Sequence, residues 1–195
     1  MLGTRKSAWK PHPIAVGLGG VVHEKRIILD LIDPTMQESV KKIWMIDDVK
    51  QLQKFTSYCQ KKKIQDTSYL IHGSRIENWF SIVQNRLLLP YRNQAEKTGN
   101  SLGNGIYFAN SSIKSSHYTF GEDSFILGIY EVAYGKPMEI VDDDHNAYFF
   151  HTKSELDKKG FNVIHYHRIN VSWADEIVTF YEASAVLKAI VLFQR

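Results

Sequence analysis

The chain has 195 residues, 44% hydrophobic and 23% charged, with a formal net charge of +3 and one cysteine, Cys59. That composition suits one packed domain and excludes a disordered or fibrous chain. One cysteine excludes an intrachain disulfide and a thiolate-rich zinc or iron–sulfur centre. No apolar run approaches the roughly 18–20 residues that span a bilayer.

Residues 1–20 are rich in Gly, Pro and basic groups and are expected to be loosely ordered. They carry no signal-peptide pattern. GLGG at 17–20 lacks the Lys-Ser/Thr and the strand–helix frame of a phosphate loop. Residues 21–195 are expected to form a single domain. One cysteine and no spanning segment predict an intracellular, cytoplasmic setting. The mild positive charge permits a nucleic-acid partner without demanding one.

RIILDLI within residues 21–33 reads as a β-branched strand closed by Asp33-Pro34. A short helix is predicted over 35–42 and a strand over 42–46. Residues 47–62 read as a helix with Val49, Leu52, Phe55 and Tyr58 or Cys59 on its apolar face. Asp47 and Asp48 suit its N-terminus, and Lys61, Lys62 and Lys63 its C-terminus. SYLI at 68–71 reads as a buried strand running into His72-Gly73-Ser74. A helix over 76–85 is expected to bury Ile76, Trp79, Phe80 and Val83.

The polar segment 90–103 reads as a long functional loop. GIYFA at 105–109 is a strand, followed by a helix over 112–120. FILGIYEVA at 125–133 is a strand whose Gly128 admits another backbone or a ligand. Residues 138–141 are strand-like, and 142–159 read as an acidic loop with a short helix. Three strands, 161–164, 176–181 and 187–193, close the chain. More strands than helices, with the helices early, predict an α+β domain with a mostly antiparallel core.

His72, Tyr107 and Glu176 stand on or beside apolar strands. A buried carboxylate is costly unless something satisfies it. Taken singly, a histidine at a strand end reads as hydrogen-bonded scaffold, and a glutamate entering a strand as solvated. His165 and His167 alternate on one strand, but no motif places a third zinc ligand with them. Neighbouring His145 and His151 supply none, so they read as polar strand positions, or as lining for a groove with Arg168. Asp142, Asp143 and Asp144 read as a solvated acidic loop, and Cys59 as core.

Four ordered blocks alter that balance: YLIHGSRIENWFSIVQNRLLLP, SLGNGIYFANSSIKSSHYT, GIYEVAYGKPMEI and ADEIVTFYEASAVLKAIVLF. In order and internal spacing they resemble the catalytic domain of poly(ADP-ribose) polymerases, over roughly residues 40–195. The resemblance implies an ADP-ribosyltransferase-like fold of two packed, mostly antiparallel sheets with flanking helices. It implies NAD as co-substrate, no metal, and a macromolecular acceptor, protein or nucleic acid. His72 matches the histidine that bonds an adenosine-side ribose hydroxyl, and Gly73 the residue whose backbone pairs with the nicotinamide amide. Ser74 matches a further ribose contact. Tyr107 and Tyr118 match tyrosines on the two faces of the nicotinamide ring, Ser115 the serine on the carboxamide oxygen, and Glu176 the catalytic glutamate.

Within these 195 residues the regulatory helical domain of the DNA-damage-responsive members is not expected. Glu176 keeps the residue associated with chain elongation, yet the segment between Met138 and Glu176 is short, so single-unit transfer is expected over polymer synthesis. The loop over the donor site is short as well. A single catalytic domain also suggests, by analogy alone, a microbial toxin or defence factor. A binding module for NAD or ADP-ribose, and an NAD glycohydrolase, remain open alternatives.

Overall fold

The computed structural model describes residues 21–90, 101–120, 123–141, 150–167 and 174–194, with side chains from residue 25 onward. The elements run α1 (Val21–Asp30), α2 (Pro34–Gln37), β1 (Val40–Met45), α3 (Val49–Lys62), β2 (Thr67–Gly73), α4 (Asn78–Asn85), β3 (Ile106–Ala109) and α5 (Ser112–Ser116). There follow β4 (Ser124–Ala133), β5 (Pro137–Val141), α6 (Lys153–Lys159), β6 (Val163–His167), β7 (Glu176–Thr179), a 3₁₀ turn (Glu182–Ser184) and β8 (Ala185–Gln194).

Residues 21–30 are helical, which corrects the strand expected there. A short apolar run of this kind fits either period. The helix wins because it brings Ile28, and Ile32 in the turn just past its end, down onto the sheet, where both are buried. Gln37 holds the turn by donating Nε2 to the carbonyls of Leu29 and Ile32. Residues 38–39 form a turn, so the expected helix over 35–42 is only one turn long.

In α3 the cap is as expected: Asp48 accepts from Gln51 N at 3.0 Å, and Lys63 ends the helix in the left-handed region. The face is not. Gln51, Phe55 and Tyr58 are buried, while Val49 and Leu52 are exposed. In α4, Trp79 and Ile82 face the core, and Ile76, Phe80 and Val83 are exposed.

Eight strands form one sheet in the order β1-β8-β4-β2-β3-β7-β6-β5. Every neighbouring pair is antiparallel except β5 with β6. The long strands β4 and β8 read as apolar runs because both their faces are covered. On one face Ile71, Leu127, Ile129, Val191 and Phe193 pack with Ile28 and Ile32. On the other, Leu70, Tyr130, Val132 and Leu187 pack with Trp79 and Ile82. Each such side chain contributes roughly 1.5–3 kcal/mol on burial.

Two features place the functional region. β2 pairs with β4 continuously from Thr67↔Ala133 to Gly73↔Leu127, but meets β3 at the single register pair Ile71↔Ala109. The mostly antiparallel α+β architecture is as expected, but its strands form one sheet with two halves joined at this point in place of the two packed sheets expected. At Gly128, a Cβ would stand 2.6 Å from the Trp79 ring. The neighbour the glycine admits is therefore the α4 indole, whose Nε1 donates to the Ser74 carbonyl at 3.2 Å.

Candidate active site

The junction of β2 and β3 gathers most of the sequence-predicted residues. Where the backbone pairing stops, His72 takes its place: its Nδ1 lies 2.8 Å from the Tyr107 carbonyl. A carbonyl only accepts, so Nδ1 carries the proton. The ring sits edge-on to Phe108 and Tyr130, at 5.9 and 6.2 Å between centroids. It meets Tyr107 at the main chain.

That burial lowers the His72 pKa from 6.5, with the Tyr107 carbonyl opposing in part. The sign is fixed: the folded chain resists protonation, whereas the unfolded chain takes up a proton below about pH 6.5. Stability supplied by the neutral ring is therefore constant above that pH. It declines as pH falls from 6.5 toward the lowered folded-state value. Urea midpoints at pH 7.5 and 5.5 should fall more in the wild type than in His72→Asn; equal falls would contradict the buried neutral ring.

Gly73 is where β2 touches α5. A Cβ there would stand 1.8 Å from the Ser115 carbonyl oxygen, so only glycine allows the approach. Ser115 is buried and donates Oγ to the Ile71 carbonyl at 3.1 Å. Its carbonyl accepts from Tyr118 N at 3.2 Å, which sets Tyr118 just past α5. The α5 N-cap, Ser111, accepts from Lys114 N at 3.3 Å. Ser112 accepts from Asp33 N at 2.9 Å and fastens α5 to the segment after α1. Ser74 faces α4 instead: its Oγ accepts from Asn78 Nδ2 at 2.9 Å.

Tyr107 and Glu176 share a sheet face. The register Tyr107↔Val178 and Ala109↔Glu176 makes them diagonal neighbours, with the small Ala109 opposite the acid on β3. The Tyr107 hydroxyl donates to the Gly103 carbonyl at 2.9 Å and accepts from Leu102 N at 3.0 Å. Gly103 has φ +120°, and a Cβ there would strike the His151 carbonyl at 2.2 Å. A glycine-only turn thus clamps the ring. Burial drives the Tyr107 pKa well above its ordinary value, partly offset by the Leu102 amide, and Glu176 and Tyr118 raise it further. Glu176 and Tyr118 therefore both lie within electrostatic reach of Tyr107, whose phenol keeps its proton.

The residue that sequence reasoning passed over is Lys114. Its Nζ lies 2.5 Å from Glu176 Oε1, with side-chain exposures of 5% and 8%. The pair is buried and brings α5 onto β7. Asn110, next to β3, also has a buried side-chain oxygen with no hydrogen-bond partner among the described residues. The predicted histidine positions divide. His165 and His167 lie together on β6, while His151 pairs with Glu155 at 3.2 Å. His145, Arg168, the aspartates 142–144, loop residues 91–100 and segment 1–20 lie outside the described residues. Cys59 is half-buried, and burial pushes its thiol up to about 11, which makes it a poor nucleophile.

The family model described as the poly(ADP-ribose) polymerase catalytic domain matches residues 23–182. The chain belongs to this family. Among its relatives, poly [ADP-ribose] polymerase 2-A of Oryza sativa subsp. japonica is 31% identical over 122 residues, covering 58% of this chain and 18% of that protein. A poly [ADP-ribose] polymerase-like protein of Invertebrate iridescent virus 6 is 26% identical over 161 residues, covering 77% and 83%. A protein mono-ADP-ribosyltransferase of Homo sapiens is 33% identical over 112 residues, covering 54% and 6%. The chain thus spans less than a fifth of the plant polymerases it matches. The eight-stranded, mostly antiparallel sheet with its flanking helices is consistent with this family's fold. Among the described residues, no helix is long and apolar enough to cross a membrane.

Proposed function

We propose that the chain takes ADP-ribose from NAD, releases nicotinamide and passes the ADP-ribosyl group to a macromolecular acceptor, one unit at a time. The observation that supports this most is the convergence of Tyr107, Tyr118, Ser115 and a Lys114-held Glu176 on the junction where β2 and β3 part.

Nicotinamide is a flat ring with one primary amide. Phenol faces at Tyr107 and Tyr118 suit the ring, and the Gly73 backbone suits the amide. Ser115 adds a point that the resemblance alone did not give. Its proton already goes to Ile71, so it meets the carboxamide through its lone pairs and accepts from the amide N–H. Bonding the carboxamide oxygen instead would require that proton to leave Ile71. His72, with Nδ1–H committed to Tyr107, offers a ribose hydroxyl the acceptor lone pair of Nε2.

Cleavage of the nicotinamide–ribose bond develops positive charge on the sugar, as in glycoside hydrolysis. A carboxylate bonded to the adjacent hydroxyl stabilises that charge more in the transition state than in the ground state. Glu176 fills this role, with Oε1 fixed by Lys114. Nicotinamide leaves as a neutral group, so the transfer needs neither a metal nor a strong acid. The short segment between Met138 and Glu176 supports single-unit transfer.

The test is NAD labelled in its adenylate half, supplied with cell lysate and followed by separate protease and nuclease digestion. Label should become macromolecular in parallel with nicotinamide release, as a single unit per site, and one digestion should remove it. Free ADP-ribose as the main product would identify a glycohydrolase. NAD binding without nicotinamide release would identify a binding module.

A further inference from the structure

A second polar cluster lies on three neighbouring strands. The register pairs Glu139 of β5 with His165 of β6 and Tyr166 with Glu176 of β7. Continued by one residue, it sets His167 opposite Asp175. Glu139, His165, His167 and Asp175 therefore face one side of the sheet, and Glu176 faces the other. Side chains far apart in sequence meet because the strands are adjacent.

The hydrogen bonds sort these groups into an inner and an outer set. Asp175 Oδ2 lies 3.0 Å from His165 Nε2 and 3.2 Å from His167 Nδ1. A carboxylate oxygen accepts, so these ring nitrogens carry the protons. The other nitrogen of each ring then presents a lone pair, and both lone pairs point toward Glu139 Oε2. That oxygen is 3.5 Å from His165 Nδ1 and in direct contact with His167 Nε2. The three atoms lie within 4.8 Å of one another. The rings themselves are stacked, with centroids 3.8 Å apart. The His165 lone pair accepts from the Tyr134 hydroxyl, whereas the His167 lone pair faces the Glu139 carboxylate, an acceptor-against-acceptor contact that a shared cation relieves.

We propose that Glu139 Oε2, His165 Nδ1 and His167 Nε2 bind a divalent transition ion of the zinc class, with Asp175 as the outer carboxylate that orients both rings. Two imidazoles and one carboxylate suit borderline ions such as Zn²⁺ and Co²⁺ and discriminate against Mg²⁺ and Ca²⁺. Ligands about 2.0–2.1 Å from zinc in tetrahedral array stand roughly 3.3 Å apart, close to the 3.5 Å separation of Glu139 and His165. The Glu139–His167 contact must open, and Glu139 is half-exposed and able to move. The outer arrangement matches the usual one, in which a ligating histidine donates its second N–H to a carboxylate. The Tyr134 hydroxyl also reaches His165 Nδ1, and ion binding displaces that bond. The ion plays no part in the transfer. It pins β5, β6 and the residue preceding Glu176 together.

The purified chain, stripped with a chelator, is titrated with Zn²⁺ against a chromophoric competitor, and with Co²⁺ by visible absorption. One equivalent of Zn²⁺ should bind at sub-micromolar concentration, with four- or five-coordinate d–d bands for Co²⁺. Excess Mg²⁺ and Ca²⁺ should not compete. Glu139→Gln and His167→Ala, both at partly exposed positions, should each weaken binding at least about tenfold, and Asp175→Asn about 10–100-fold. No stoichiometric Zn²⁺ binding, or binding unchanged in Glu139→Gln and His167→Ala, would overturn the proposal and leave a network closed by a proton.

Discussion

Glu176→Gln should lower nicotinamide release by about 10²–10³-fold at saturating NAD, which corresponds to roughly 2.7–4 kcal/mol of transition-state stabilisation. The amide keeps the shape of the acid and can still accept from a ribose hydroxyl, so the KM for NAD should change little. What it loses is the full negative charge, which matters most when the sugar becomes cationic. A fall in kcat with KM intact is the signature of an interaction made in the transition state. The buried neighbour Lys114 complicates the variant, because its ammonium then faces a neutral amide. Thermal unfolding must therefore be measured alongside, and the rate compared well below the variant's midpoint. Activity within about tenfold of wild type in a folded variant would remove Glu176 from the chemistry and favour the binding-module reading.

The strands were easiest to read where both faces are covered. FILGIYEVA and the apolar run ending at Phe193 admit no amphipathic helix of comparable length. RIILDLI misled because β-branched residues at short range fit a strand, while the spacing of Ile28 and Ile32 decides only once a sheet is there to receive them. The α4 face was misplaced for a similar reason. The helix begins at Asn78 and not Ile76, and Gly128 opens a slot for Trp79, turning Ile82 inward and Phe80 out. At the site, the ordered blocks single out His72, Tyr107, Ser115 and Glu176 as candidates but carry no information on how each is held. The Leu102–Gly103 clamp on Tyr107 depends on a left-handed turn against His151. Between Ile113 and Ser115, Lys114 reads as an ordinary surface lysine. Only the packing of α5 over β7 makes it the partner of Glu176. The Glu139–His165–His167–Asp175 group is likewise a product of strand register, because no local spacing links its members.

Lys114→Met should destabilise the fold by roughly 3–5 kcal/mol, because it removes one member of a buried ion pair and leaves the other in place. The exposures of 5% and 8% put this pair outside the range of surface salt bridges, whose removal costs little. For a chain of this size the loss corresponds to a fall in Tm of about 6–20 °C. Methionine fills similar volume, so the cost reports the stranded carboxylate and not a cavity. The double variant Lys114→Met/Glu176→Gln separates the two sources. If the charge pair is the cause, the second substitution should recover most of the lost stability, because neither member of the pair is then charged. The two single effects would then sum to far more than the double. Additive effects would mean that Lys114 stabilises α5 by some other contact. Nicotinamide release supplies the second readout. With the cation gone, the carboxylate loses the contact that fixes Oε1, and kcat should fall even at temperatures where Lys114→Met is fully folded. Arginine at 114 keeps the charge but is too bulky for the buried slot, so it should not restore the rate. A folded Lys114→Met variant with wild-type kcat would show that Glu176 is positioned by the sheet alone.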